Sequence, residues 1–375
     1  MDKKNKNPNV PNLRFSSFTD LFRLYTLKDV LQRVSIPVNV EENKLYYQIG
    51  IRSHSKGIFH KEAETGKQIG NKRIFWIEPN CLILNIVFAW EQAVAKTSEK
   101  EVGMVASHRF PMYKVLNNSL DYIVDFFKTE KGKQLLQMAS PGGAGRNKTL
   151  NQDFFLNSKI YLPSLNEQLK TSNLIELIED RIETQIKIID RLQSQIKYIK
   201  GQILNLTTTI EIKSLDQLCD ISTGKRDANE MKINGMYKFF TCSREDYCID
   251  TYSFEGEALI ISGNGELGLI KYYNGKFDAY QRTYVLQNFN CHPKYLMYVL
   301  QSKLPRKIEK EKNVGAMPYI VLKTLTSINV EIPNMHDQIE IVDILNKFEE
   351  KLENEQILLE LFKKEKSFLL KNLFV

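Results

Sequence analysis

Two stretches of the chain carry the same apolar stripe. In the first, Ile175, Ile178, Ile182, Gln185, Ile189, Leu192, Ile196, Ile199 and Ile203 recur at alternating steps of three and four; in the second, Leu345, Phe348, Leu352, Glu355, Leu359, Phe362, Lys366, Leu369 and Leu373 do so. That spacing marks the a and d seam of a coiled coil. Residues 162–204 align on 332–374 at an offset of 170 without a gap, yet only Pro163/Pro333, Gln168/Gln338, Glu179/Glu349 and Glu183/Glu353 are identical. The repeat is therefore one of pattern. Each copy opens on a helix start signal, Ser164 with Glu167 after Pro163 and Asn334 with Asp337 after Pro333. A helix from about residue 173 to 206 extends roughly 50 Å and needs a partner of similar length, which the other copy supplies. The competing reading, each stripe packing only on its own domain, calls for a broader apolar face than these stripes show. Gln185 and Glu355 fall at equivalent seam positions, where one polar residue can fix register.

The repeat continues upstream. Gly145 aligns with Gly315, Phe155 with Leu325 and Ile160 with Val330 at the same offset, Arg109 matches Arg282 at 173, and the segment around Leu27 and Asp29 resembles Ser214 to Leu218. The order is module 1–163, helix 164–206, module 207–333, helix 334–375. Both modules mix short β-rich runs with helices, an α+β reading. Strands are expected at 81–89, 112–116, 258–262, 269–273 and 284–286, and helices at 120–139 and 293–308.

A chain of 375 residues is long enough for two cores. No apolar run is long enough to span a bilayer, and the Lys/Asn-rich start lacks a secretory signal, so a cytoplasmic location is expected. The net charge of +7 is uneven: Lys and Arg outnumber Asp and Glu 24 to 15 in residues 1–163, balance at 6 each in 164–206, stand at 16 to 15 in 207–333, and fall to 6 against 9 in 334–375. The excess lies in the first module, which suits contact with a polyanion there and protein contacts elsewhere.

Candidate chemistry is mostly excluded. Cys81, Cys219, Cys242, Cys248 and Cys291 form no CxxC pair, and His54, His60, His108, His292 and His336 show no metal-ligand spacing, so no metal site is expected. The string GNGELG at 263–268 satisfies GxGxxG, but a second strand follows it and not a helix, so it reads as a glycine hairpin and not a nucleotide site. There is no GxxxxGKS/T phosphate loop and no Asn/Asp-Pro-Pro-Tyr/Phe methyl-transfer string. What remains are basic residues beside glycines or aromatics: Arg52, Lys56, Arg73, Arg109, Arg146 and Lys148 in the first module, and Lys225, Arg226, Arg244, Lys271, Arg282 and the run Arg306, Lys307, Lys310, Lys312 in the second. Arginine can take both acceptors of a guanine, and lysine can hold phosphate; solvated surface charge is the bland alternative for each. Arg109, Arg282 and Arg146 stand apart because they sit at repeated landmarks.

The opening PNLRF (11–15), LPSLNEQ (162–168), IPNMHDQ (332–338), the GNGELG hairpin and GAGR (143–146), together with the duplicated helices, make the whole chain resemble the specificity subunit of Type I restriction-modification systems. The second linker, GAMPY at 315–319, departs from the family in lacking a basic residue after its glycine. The resemblance implies two target recognition domains reading the halves of a split DNA sequence, and two long helices packed antiparallel as a spacer. It implies no catalysis by this chain, and partners in two modification subunits and in restriction subunits. S-adenosylmethionine, ATP and Mg are then expected in those partners, with no cofactor held here. The alternative is a coiled-coil scaffold joining two protein-binding domains.

Overall fold

The computed structural model describes residues 9–143, 148–202, 210–311 and 319–375. The chain divides into two compact units, Met1–Ile186 with Leu358–Val375, and Lys187–Ile357. Each long helix is one element of 38 residues, Leu165–Gln202 and Met335–Asn372, and contributes to both units. The first begins directly after the Pro163–Ser164 signal and not near residue 173. Its opening turns dock through buried polar residues, Gln168, Thr171 and Ser172, which a purely apolar stripe does not reveal. Ile203 and the 206/207 boundary lie outside the described residues. No described helix is long and apolar enough to cross a membrane.

In the first unit a four-stranded antiparallel sheet runs in the order Val94–Lys96, Leu82–Leu84, Met112–Val115, Leu31–Val34. The expected strand at 81–89 stops at Leu84 because the Asn85 side chain accepts the Val87 N–H (3.2 Å) and turns the chain. The expected helix 120–139 is two helices, Leu120–Lys128 and Glu130–Met138. Thr129 breaks it: its hydroxyl donates to the Phe126 carbonyl (2.6 Å) and accepts the Gly132 N–H (3.1 Å), capping the second helix. Gly132 permits the turn, since a Cβ there would lie 2.2 Å from the Phe126 carbonyl oxygen.

The core of this unit joins Leu27, Tyr122, Phe126, Phe127 and Phe155 to Ile175 and Ile178 of the first long helix and to Leu369, Leu373 and Phe374 at the end of the second. The start of one helix therefore packs with the end of the other. Each fully buried aliphatic side chain contributes about 1.5–3 kcal/mol.

The second unit holds a six-stranded sheet ordered Asp220–Thr223, Thr283–Gln287, Phe254–Ser262, Ile270–Ala279, Tyr237–Phe240, Tyr247–Ile249. Its central strand alternates faces. Leu259 and Ile261 pack under the helix Pro293–Glu311 with Tyr295, Leu296, Tyr298 and Leu300, while Ala258 and Ile260 face Phe240, Phe277 and Val285. Residues 263–268 form the tight connection expected of them, with Gly265 and Gly268 at positive φ. Asn274–Gly275 does not end the following strand: Gly275 pairs with Gly256 and the strand continues to Ala279.

The units share one frame. Arg23–Thr26 pairs with Lys159–Leu162, and Ile210–Ser214 with Asn329–Pro333, both antiparallel. Each first strand runs through a capping box, Thr26 with Asp29 and Ser214 with Gln217, into a one-turn helix. The amide of Leu27 donates to the Ser158 carbonyl and that of Leu215 to the Ile328 carbonyl, so the upstream likeness noted in sequence is a likeness of structure.

Candidate nucleic-acid interface

The repeated arginines occupy equivalent backbone positions. In the first unit the Arg109 carbonyl accepts the Ile86 N–H (3.0 Å), and the Ile86 carbonyl accepts the Leu150 N–H (2.8 Å). In the second the Arg282 carbonyl accepts the Gly263 N–H (3.0 Å), and the Gly263 carbonyl accepts the Ile320 N–H (2.8 Å). Each arginine is exposed and is stitched to the segment that leaves the Gly-containing linker of its repeat. Arg146 and Lys312, in those linkers, lie outside the described residues.

Around Arg282 the stitching builds a cavity of about 420 Å³ lined by Thr223, Gly263, Gln281, Arg282, Tyr284 and Tyr319, with Ile320 beneath. Gly224 makes it possible: a Cβ there would lie 2.1 Å from the Ala279 carbonyl oxygen. The close approach lets the Gly224 N–H reach the Thr283 carbonyl and the Gln281 N–H reach the Arg226 carbonyl. Lys225 is thus exposed on the segment that runs beside Arg282. Tyr284 donates its hydroxyl to the Ile320 carbonyl (2.9 Å), while Tyr319 is left 66% exposed, a ring free to stack on a flat partner. Thr223, Gln281 and Tyr319 carry no sequence signal; only long-range pairing assembles them.

The other basic residues fall into two groups. Arg226 is committed: its Nε donates to the fully buried Asp278 (3.0 Å) and its Nη1 to Glu230 (3.3 Å), while Thr251, Ser253 and the Ala279 N–H also serve Asp278. Arg244 pairs with Glu266 (2.9 Å), and the Lys271 ammonium donates to Asp246 and to the Arg244 and Glu245 carbonyls. These cations hold the turns together. In the first unit Arg52 lies over the Phe59 ring and Lys148 over Trp90. Lys56 is exposed on the loop after His54 and Ser55, both at positive φ, which the Glu91 and Gln92 carbonyls hold. Arg73 is exposed, its carbonyl accepting the His108 N–H. Arg306, Lys307 and Lys310 lie on the helix Pro293–Glu311, where Lys307 pairs with Glu311.

The seam positions are buried or half-buried throughout: Ile175, Ile178, Gln185, Ile189, Leu192, Ile196, Leu345 and Leu369 are buried, and Ile182, Ile199, Phe348, Leu352, Glu355, Leu359 and Phe362 half-buried. Ile175, Ile178 and Leu345 also belong to the domain cores, so the stripe serves domain and partner helix together near each helix start. In the first unit Arg181 lies over Phe362, and in the second Lys200 reaches Glu349 (2.8 Å). Both pairings bring the start of one long helix to the end of the other.

One device escaped the sequence reading. Gln168 is buried, its amide donating to the Pro163 carbonyl (2.9 Å) and the Asn118 side chain (2.8 Å) and its oxygen accepting the Ser119 N–H (2.9 Å). Gln338 does likewise with the Pro333 carbonyl (2.8 Å) and the His292 N–H (2.7 Å). Each duplicated glutamine fastens its long helix to the first residue before a domain helix. Ser164 caps the helix by accepting the Glu167 N–H (3.4 Å), while the Glu167 carboxylate takes Arg14 of the PNLRF segment in a two-pronged ion pair, both contacts 2.7 Å. His336 lies 3.9 Å from both Asp337 and Glu340, a grouping with metal-ligand spacing that was not expected of the histidines. His336 and Glu340 are exposed and Asp337 half-buried on a helix surface, where such ion pairs are ordinary.

Comparison with known proteins places these features. Residues 208–362 match the Type I restriction modification DNA specificity domain. The chain is 35% identical over 146 residues to the Type I restriction enzyme EcoDI specificity subunit of Escherichia coli, covering 39% of this chain and 32% of that protein. It is 33% identical over 98 residues to the Type I restriction enzyme MpnII specificity subunit of Mycoplasma pneumoniae, covering 26% and 29%. The matched stretches thus span about a third of those relatives' length. The fold is similar over nearly the whole chain to the crystal structure of a Type I restriction-modification S subunit from M. genitalium (TM-score 0.65, 14% identity, 98% of this chain and 99% of that one). It is also similar to the HsdS subunit from Thermoanaerobacter tengcongensis (TM-score 0.53, 15% identity, 94% and 96%). Residues 208–362 are thus similar to a Type I restriction modification DNA specificity domain, and the fold of the chain is similar to those of solved S subunits.

Proposed function

We propose that this chain reads a bipartite DNA sequence for a Type I restriction-modification complex, each domain taking one half-site. The observation that carries the reading is the equivalent placement of Arg109 and Arg282, each exposed and stitched between the end of a sheet strand and the exit of a Gly-containing linker. Arginine there can address both acceptors of a guanine, with Lys225 and Lys56 free for phosphate and Tyr319 for stacking. Arg226, Arg244 and Lys271 shape the turns that present them.

Joined half-sites bind as one strong site only when their spacing fits, because the second contact is intramolecular. The long helices are the spacer in this reading. They also carry the docking positions for two modification subunits. Leu165 and Leu169 on the first helix and Met335 and Ile339 on the second are exposed at the same 170-residue offset, as are Tyr198 and Phe368, and a duplicated apolar surface suits two copies of one partner. Chemistry belongs to those partners and to the restriction subunits, with S-adenosylmethionine, ATP and Mg bound there. The chain itself is non-catalytic and works in the cytoplasm.

The test is duplex binding by the chain assembled with its modification partner. A bipartite target should be preferred over random duplex by at least about a thousandfold, with affinity falling steeply as salt rises. Equal binding to both duplexes at moderate salt contradicts the reading.

A further inference from the structure

One of the four identical pairs of the repeat, Glu179 and Glu349, meets the same demand in both units. In the first unit Glu179 accepts from Lys128 of the domain helix Leu120–Lys128 (2.8 Å) and pairs with Lys366 of the second long helix (2.7 Å). In the second unit Glu349 accepts from the Tyr298 hydroxyl of the domain helix Pro293–Glu311 (2.8 Å) and from Lys200 of the first long helix (2.8 Å). Each carboxylate thus ties three elements together: its own long helix, its own domain and the opposite long helix. The partners are not equivalent in sequence, since Lys366 aligns with Ile196 and Lys200 with Leu370. The three-way junction is what the two copies share.

We infer that Glu179 and Glu349 are positioning residues that set which gap between half-sites the chain accepts. This rests on the reading of the chain as a bipartite DNA reader. A domain helix held only by apolar packing can slide and tilt by small amounts, because hydrophobic burial is non-directional. A carboxylate taking directed bonds from the domain and from the far helix removes that freedom. The tilt of each domain on the helix pair then fixes where its reading loops meet the duplex, and the gap follows.

The test uses the complex with its modification partner and a series of duplexes that keep both half-sites and vary the gap by one base pair either way. Wild type should prefer its proper gap, and E179Q or E349Q should reduce that preference about tenfold while discrimination against a mismatched half-site stays as it was. Y298F, which removes the domain arm together with the bond to Asn346, and K200Q, which removes the charge of the helix arm together with its contacts to Gln301 and the Tyr298 ring, should each reproduce E349Q. The exchange K200E/E349K should restore the preference, because the Tyr298 hydroxyl can accept as well as donate. Far-ultraviolet circular dichroism and melting identify any variant that has lost its fold, and Y298F carries the test if the glutamate variants do not fold. Unchanged gap preference in folded E349Q and Y298F overturns the inference. Loss of half-site and gap discrimination together assigns the glutamates a merely structural role and overturns it too. If wild type itself shows no preference for a bipartite duplex, it is the underlying reading that fails.

Discussion

The two junctions between domain and long helices do the same job with different chemistry. In the first unit Lys128 lies between Asp125 (2.9 Å) and Glu179, and Lys366 completes a network of two carboxylates and two ammonium groups. Asp125 is 5% exposed, and burial pushes its carboxyl up to about 6 against the pull of Lys128. Burial also pushes Glu179 up, but Lys128 and Lys366 outweigh it and hold it below the usual range. In the second unit a tyrosine replaces the lysine: Tyr298 gives its hydroxyl to Glu349, and Lys200 lies over its ring at 4.4 Å while its ammonium also reaches Gln301. Duplication kept the glutamate and let its partners change. The contact geometry, more than the charge, is what both copies retain.

The glutamine clamps differ in the same way and give the largest expected effect. Q168L strands the Ser119 N–H and removes two further bonds, so the helix Leu120–Lys128 should lose about 3 kcal/mol of hydrogen-exchange protection. Q338L strands the His292 N–H and removes one, and should cost the helix Pro293–Glu311 about 2 kcal/mol. The check is peptide-resolved exchange, with each substitution expected to leave the other unit's helix protected. Equal loss in both units would show that the clamps are not local.

A smaller effect separates the ionic junctions by pH. Asp125 has a folded pKa above its unfolded one, so protonation favours the folded state: its stabilising contribution is full below about 3.8 and is lost as pH rises through about 6. D125N mimics the protonated form at every pH. Wild type should therefore gain on the order of 1 kcal/mol over D125N between pH 8 and pH 5, read from melting of the first unit. Glu179 works in the opposite direction, its contribution being lost as pH falls through its lowered pKa, and that loss lies below this window. A parallel shift in the second unit would contradict the assignment, since its junction offers Tyr298, whose hydroxyl burial pushes up beyond the range.

Smallest of all should be the response to salt. The first network is half-buried and the second rests partly on a tyrosine, so raising salt should loosen the first junction by no more than about 1 kcal/mol and the second by less. Exchange rates in the two domain helices at low and high salt measure it.

The heptad stripes made the long helices legible because their period is local in sequence. Their start after Pro163 was legible from Ser164, but the docking face there was not, since it is Gln168, Thr171 and Ser172, polar residues that read as solvent-facing until their partners are known. The identities of Gln168/Gln338 and Glu179/Glu349 were visible, and their meaning was not: Ser119, Lys128 and Lys366 lie far away along the chain. The same limit governs the basic residues. Nothing near Arg226 or Lys271 in sequence announces Asp278 or Asp246, so their intramolecular ion pairs were not legible. Arg109 and Arg282 were distinguishable because the repeat itself marked them, and the paired backbone stitching gives that mark a structural basis.

The most direct test of two equivalent reading sites is to map methylated positions in the host genome with the wild-type chain, R109A and R282A. Loss of each arginine should relax one half of the target, a different half for each variant, and leave the other half and the gap intact. An unchanged target in both variants, or the same half relaxed by both, would contradict the account.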